Sequence, residues 1–272
     1  MRIAVGLEYN GTAYCGWQTQ PSGCAVQNVF ERALAEIAGT RITAVCAGRT
    51  DAGVHATGQV AHFDVEVNRP LTAWVRGVNA LLPASVAVTW AREVPAEFHA
   101  RYSAVARTYR YLLLNRPERP GLWAGRVGWY HRPLDLGAMR RAARCLLGEQ
   151  DFSAFRAAEC QARSAIKLMH GISIERAGRL VTFEFCASAF LHHMVRIIVG
   201  CLIEIGAGRR PIGWLESLRD ARDRTEAART ADSAGLYLAG VIYDPGWNLP
   251  STPDTPPGPW PGDIGAASST CR

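Results

Sequence analysis

The sequence predicts an α/β protein of the α+β type, with two ferredoxin-like lobes, a mostly antiparallel central sheet and a cleft between the lobes. Three observations predict it. Segments that alternate apolar and polar residues, the mark of half-buried strands, are interleaved with stripes at helical spacing. In the first half these run strand, helix, strand, strand, helix, strand, which is the order of a split βαβ unit. The second half echoes that order loosely without a clean repeat, and 272 residues at 48% apolar composition suffice for two cores.

The elements follow in order. Ile3, Val5, Leu7 and Tyr9 alternate with Arg2, Ala4, Gly6 and Glu8 and predict the first strand. Val26, Val29, Phe30, Ala33, Leu34 and Ile37 form one helical stripe over residues 25 to 38, closed by Gly39 as a C-cap. A strand near 41 to 47, a glycine-flanked loop from Gly48 to Gly58, a strand near 59 to 65, a helix over 71 to 82 and a strand over 86 to 92 complete the first half. The second half predicts strands at 107 to 114, 166 to 175, 179 to 186 and 235 to 243. Its helices are expected near 135 to 147, 189 to 205, after Pro211 and near 224 to 231. The lobes are divided at residues 1 to 105 and 106 to 246. Seven of the 15 prolines fall from Pro245 on, so residues 247 to 272 are expected to be a disordered tail.

Composition narrows the class. No run approaches the roughly 20 apolar residues of a membrane-spanning helix, and the N-terminus reads as a strand rather than a signal peptide. A cytoplasmic protein is expected. The eight cysteines never form a CxxC pair and lie mostly in apolar runs, so they read as reduced core thiols. The formal charge is +6, and of the 30 basic residues only Lys167 is not arginine. Arginine's planar fork suits phosphate and bases, which points to a nucleic-acid partner; a coding preference for arginine would leave the same composition.

Two places concentrate chemistry. The loop Cys46-Ala47-Gly48-Arg49-Thr50-Asp51-Ala52-Gly53-Val54-His55-Ala56 sets Arg, Thr, Asp and His between glycines that let a ligand approach the backbone. It also reads as a plain turn, or, through Asp51, His55 and His62, as a metal site without a common ligand spacing. Between Ala187 and Ile203 the only permanent charge is Arg196, set on a stripe of Leu191, Val195, Ile198 and Leu202. An arginine there is costly unless paired with a carboxylate or with carbonyls. His192, one turn earlier, reads as a hydrogen-bonded core histidine. On the strand at 107 to 114, alternation puts Arg107, Tyr109 and Tyr111 on one face, an arrangement that can stack a base or simply fill a core.

The segments GRTDAGVHA (48 to 56), GQVAHF (58 to 63), FHARYSA (98 to 104), RTYRY (107 to 111), CLLGEQDFSAFR (145 to 156), HHMVRIIVG (192 to 200) and GLYL (235 to 238) resemble the TruA-type tRNA pseudouridine synthases. They cover nearly the whole chain in that family's order. The resemblance implies isomerisation of uridine to pseudouridine at positions 38, 39 and 40 of the tRNA anticodon stem-loop, by a homodimer that needs no cofactor. It implies Asp51 as nucleophile, Arg196 as the partner that keeps it ionised, and Tyr109 stacked on the target uracil. Leu236 aligns with an aliphatic residue that packs on the uracil in related synthases, and reads equally as a core leucine. Arg49 has the reach and planar face to hold the space left by a flipped base. Two rival classes remain: a catalytically silent RNA-binding protein, and a metal-dependent phosphoesterase built on Asp51, His55 and His62.

Overall fold

In the computed structural model the described residues are 1–250, so the expected tail lies outside them except for its first four residues. The chain divides into two compact units, Met1–Ala106 with the segment that begins at Tyr237, and Arg107–Leu236. In the first unit β1 (Arg2–Tyr9) is followed by α1 (Val26–Ala38), β2 (Val45–Cys46), β3 (His55–Asp64), a π-helical turn at Ala73–Gly77 running into α2 (Val78–Leu81), and β4 (Val86–Val94). β1 lies between β3 and β4, and β2 pairs with β3, all antiparallel, which is the strand order 4-1-3-2 expected of a ferredoxin-like unit. α1 ends where glycine permits it, since Gly39 has φ +72° and donates its N–H to Ala35 O at 2.8 Å.

The strand expected at 41 to 47 shrinks to two residues for a specific reason. Ala44 donates its N–H to Glu31 Oε1 at 2.9 Å and accepts at its carbonyl from Gln27 Nε2 at 3.1 Å. Side chains of α1 therefore occupy the backbone groups that a longer ladder would need. The cysteine reading also needs correction: Cys15 and Cys24 are joined by a disulfide, with Cα atoms 5.5 Å apart. Cys15 is exposed, and Cys145 and Cys160 are half-buried.

The second unit contains nearly all of β5 (Ala104–Asn115), then β6 (Gly128–Tyr130), α3 (Leu136–Ala143), β7 (Gly148–Asp151), β8 (Ile166–Ala177), β9 (Leu180–Ala187), α4 (Met194–Gly206) and α5 (Trp214–Ala221). β9 lies between β5 and β8, the two strands that α3 connects, so the split βαβ pattern recurs here with β7 added at the edge. β6 runs parallel to β5. α4 begins five residues later than periodicity predicts. His193 sits in the left-handed region at φ 61°, which stops a helix from continuing toward Phe190. The helix expected near 224 to 231 is only a 3-10 turn at Arg224–Glu226, because the chain beyond it is drawn along α4.

A last strand, β10 (Leu236–Tyr243), was expected in the second lobe. From Tyr237 on it belongs to the first unit, running parallel to β3 with Tyr237 opposite His55 and Leu238 opposite Ala56. Trp247, expected in the tail, closes a 3-10 turn at Pro245–Trp247 and sets its ring edge-on to buried Phe98, with centroids 5.3 Å apart.

Candidate active site

The loop that carries Asp51 is braced from three sides within the first unit. Ala47 donates to Val60 O at 2.7 Å, Trp17 to Thr50 O at 2.9 Å, and Gly53 to Tyr14 O at 3.2 Å. Gly53, at φ +76°, makes the turn, and Val54 donates back to Asp51 O at 3.1 Å. Gly16, at φ +94°, lies flat against the loop: a Cβ there would stand 2.6 Å from Thr50 O and 3.1 Å from the Asp51 carbonyl carbon.

Beneath the loop runs a buried polar chain. Gln59, with no exposed surface, donates from Nε2 to Gly48 O at 2.7 Å and to Tyr9 Oη at 3.3 Å. Tyr9 Oη in turn shares a hydrogen bond with Thr50 Oγ1 at 2.8 Å. Both neighbours of Arg49, and thereby Asp51, are thus tied to the sheet by buried, hydrogen-bonded side chains. Sequence reasoning singled out the segment that holds Gln59 but gave this residue no role. Its 11-residue separation from Gly48 leaves no local signal.

Asp51 itself is half-buried and Arg49 is exposed on the same loop. Of the two histidines that the sequence offers as metal ligands, His55 accepts at Nδ1 from Gly11 N at 3.0 Å and stacks on Tyr237, with centroids 4.5 Å apart. His62 accepts at Nδ1 from Ala100 N at 3.1 Å. Burial, helped by the charge of Arg2, pushes its pKa down to about 4, so the ring is neutral at physiological pH. Both imidazoles have structural work that accounts for them.

The second unit carries Tyr109, Arg196 and Leu236. Tyr109 on β5 stands opposite Phe185 and meets Phe190 edge-on at 4.9 Å, leaving only 9% of its surface exposed. Tyr111, two residues on, is core: Gly128 and Gly235 lie against its ring, and burial raises its pKa. Arg110, on the opposite face, forms a buried ion pair with Glu184 at 2.6 Å, which separates the roles of the two faces as alternation predicted.

Arg196 is half-buried on α4 and bound to one segment twice over. Its Nε donates to Ala231 O at 2.8 Å, and its own carbonyl accepts from Ala231 N at 3.1 Å. Gly200, one turn later, makes this approach possible, since a Cβ there would run into the carbonyl of Arg229. Leu236 is buried at the start of β10. His192 is not a core residue as expected: it is half-buried, with Nδ1 3.7 Å from exposed Glu159.

These residues gain a context from known proteins. Residues 7–103 and 142–244 match the family described as tRNA pseudouridine synthase. The tRNA pseudouridine synthase A of Thiobacillus denitrificans is 58% identical over 261 residues, covering 96% of this chain and 99% of that protein. Its counterpart in Dechloromonas aromatica is 58% identical, covering 93% and 97%. That of Pseudomonas aeruginosa is 54% identical, covering 92% and 88%. The chain belongs to the tRNA pseudouridine synthase family, isomerases that turn uridine into pseudouridine in the anticodon stem-loop of tRNA.

Proposed function

We propose that this chain isomerises uridine at positions 38, 39 and 40 of tRNA, with Asp51 as nucleophile, as a cytoplasmic homodimer that needs no cofactor. The observation that supports it most is the brace under Asp51. A carboxylate that must meet one carbon of a flipped nucleotide gains from a backbone that cannot drift, since misplacement of about 1 Å can lower a rate on the order of a hundredfold. The hydrogen bonds of Gln59, Tyr9 and Thr50, with Gly16 packed against the loop, give the backbone that property.

In the reaction the N1–C1′ bond breaks, the uracil turns, and a C5–C1′ bond forms. The proton on C5 is lost and N1 gains one, so atoms are conserved. Asp51 acts ionised, and Arg196 is the cation assigned to keep it so. Ala231 holds the guanidinium at Nε, which fixes its direction while its planar fork suits a carboxylate. Tyr109 stacks on the loose uracil and its hydroxyl assists loss of the C5 proton; Leu236 packs on the same base. Arg49 fills the space the flipped nucleotide vacates.

Because C5 loses its hydrogen, tRNA labelled with tritium at C5 of uridine reports turnover as tritium released to water. The protein should release tritium without added metal, and mapping should place pseudouridine at positions 38 to 40. Asp51→Ala should reduce release by about 10⁴-fold or more, while tRNA affinity, which rests on phosphate contacts, stays within a few-fold. Substantial turnover in Asp51→Ala overturns the assignment, and cleavage of phosphate esters without tritium release, stopped by chelator and restored by zinc or magnesium, favours the phosphoesterase instead.

A further inference from the structure

Outside the residues assigned above, the turn after β4 presents an aromatic ring to solvent. Tyr102 is 77% exposed, although a tyrosine ring carries apolar surface that a free enzyme gains by burying. The ring is not loose. It packs on His99, tilted, with centroids 4.3 Å apart and planes 31° apart, and the guanidinium of Arg101 lies 5.7 Å from its centre.

The turn beneath it is closed by its own hydrogen bonds. His99 Nδ1 accepts from the N–H groups of Arg101 and Tyr102, both at 3.2 Å. Ser103 donates its N–H to His99 O at 2.9 Å, and its hydroxyl accepts from His99 N at 3.0 Å. The rest of the unit anchors it further. Ala100 donates to His62 Nδ1 and accepts from Tyr243 Oη at 2.7 Å, while Arg2 Nη1 donates to Phe98 O at 2.8 Å. Phe98 is fully buried against the rings of His62, Tyr243 and Trp247. Binding to such a ring requires little ordering of the protein.

The turn also lies beside the strand that leads into the Asp51 loop. Ala100 is held by His62, and His62 stands opposite Val45, the residue before Cys46 on β2. A rigid exposed ring beside an arginine is a means by which proteins hold single-stranded bases, the ring taking the π-face and the arginine the backbone.

We propose that the Tyr102 ring, packed on His99, is a platform for an unpaired nucleobase of the tRNA substrate, with Arg101 at a flanking phosphate. This rests on the reading that the substrate is tRNA. The test compares Tyr102→Phe, Tyr102→Leu and Tyr102→Ala in equilibrium binding to an unmodified tRNA transcript at several salt concentrations. Stacking on one base predicts that Phe binds within about twofold of the natural protein, while Leu and Ala bind about 5- to 100-fold more weakly. Since no phosphate contact is removed, the slope of log Kd against log salt should not change. At so exposed a position the melting temperatures should not change either.

Leu binding as tightly as the natural protein overturns the platform, and so does Phe binding as weakly as Ala. Natural protein that binds tRNA but releases no tritium breaks the isomerase reading alone, and the Phe-to-Leu ratio still decides the platform.

Discussion

The two units anchor their loops with different chemistry, the first adding imidazole acceptors to the guanidinium of Arg2. In the first, neutral imidazoles accept backbone N–H groups: His55 from Gly11, His62 from Ala100, and His99 from Arg101 and Tyr102. In the second, guanidiniums donate to backbone carbonyls: Arg196 to Ala231, Arg140 to Ile174, Arg219 to Cys145 and Arg156 to Cys160 and Ala162. An imidazole acceptor must stay deprotonated and needs a close, aligned partner. A guanidinium stays charged at every accessible pH and spreads its donors over several carbonyls. The first unit thus holds the Gly11 turn and the Tyr102 turn with groups sensitive to packing and pH, and the second is more tolerant of both.

The largest test of that difference is a pair of glycine substitutions. Gly16→Ala puts a Cβ 2.6 Å from Thr50 O on a residue at φ +94°. Neither the bulk nor the dihedral is accommodated without moving the Asp51 loop. We expect kcat to fall by about a hundredfold or more, with tRNA affinity within a few-fold. Gly200→Ala meets the Arg229 carbonyl, but lies in a helix interior where alanine is favoured over glycine by about 1 kcal/mol. The clash with backbone outweighs that preference, so stability should fall as the 229–231 segment is pushed aside, and displacement of Ala231 from Arg196 lowers kcat by about tenfold. Single-turnover rates and melting curves on both variants measure the contrast, and equal kinetic losses would contradict it.

A smaller effect is expected at Arg49, which is exposed on a loop that does not depend on it for support. Flipping a paired base costs a few kcal/mol and an unpaired one less. Arg49→Ala should therefore slow turnover about tenfold on a base-paired target uridine and about twofold on an unpaired one. Two tRNA substrates that differ only in pairing of the target measure this. Equal losses would show that Arg49 is a structural member of the loop after all.

Much of this was legible in the sequence wherever the signal is local. The stripe of α1 and the cap at Gly39, the alternation of β1 and β5, and the isolated charge of Arg196 each lie within one segment, where periodicity is a direct consequence of geometry. What was missed depends on pairing at a distance. β6 and β7, three and four residues long, are too short to show a period. Glu31 and Gln27 ending the ladder at Ala44, Gln59 under Gly48, and Trp247 on Phe98 are side chains whose partners lie far along the chain. The Cys15–Cys24 bridge spans nine residues with a spacing that carries no signature.

The smallest expected effect sharpens the comparison at its chemical root. Burial first, then the positive charge of Arg2, lowers the pKa of His62 to about 4 from an ordinary value near 6.5. The unfolded chain takes up this proton as pH falls below about 6.5, whereas the folded protein resists until about 4. His62 therefore contributes stability that is fully present above about pH 6.5 and is lost as pH falls toward 4. His99 is shifted in the same direction by its own burial and by Arg2, so the two histidines that hold the Tyr102 turn act together. Between pH 7.5 and 5 the protein should lose on the order of 1 kcal/mol through His62, allowing for solvent near the ring. His62→Asn should be less stable at pH 7.5 and lose less on acidification. Arg140→Ala in the second unit, which removes a guanidinium anchor at Ile174, should lower stability by a similar amount at both pH values. Melting temperatures of the three proteins at the two pH values decide it. A pH-dependent loss that survives in His62→Asn unchanged would mean that the acid sensitivity of the first unit does not come from its imidazole anchors.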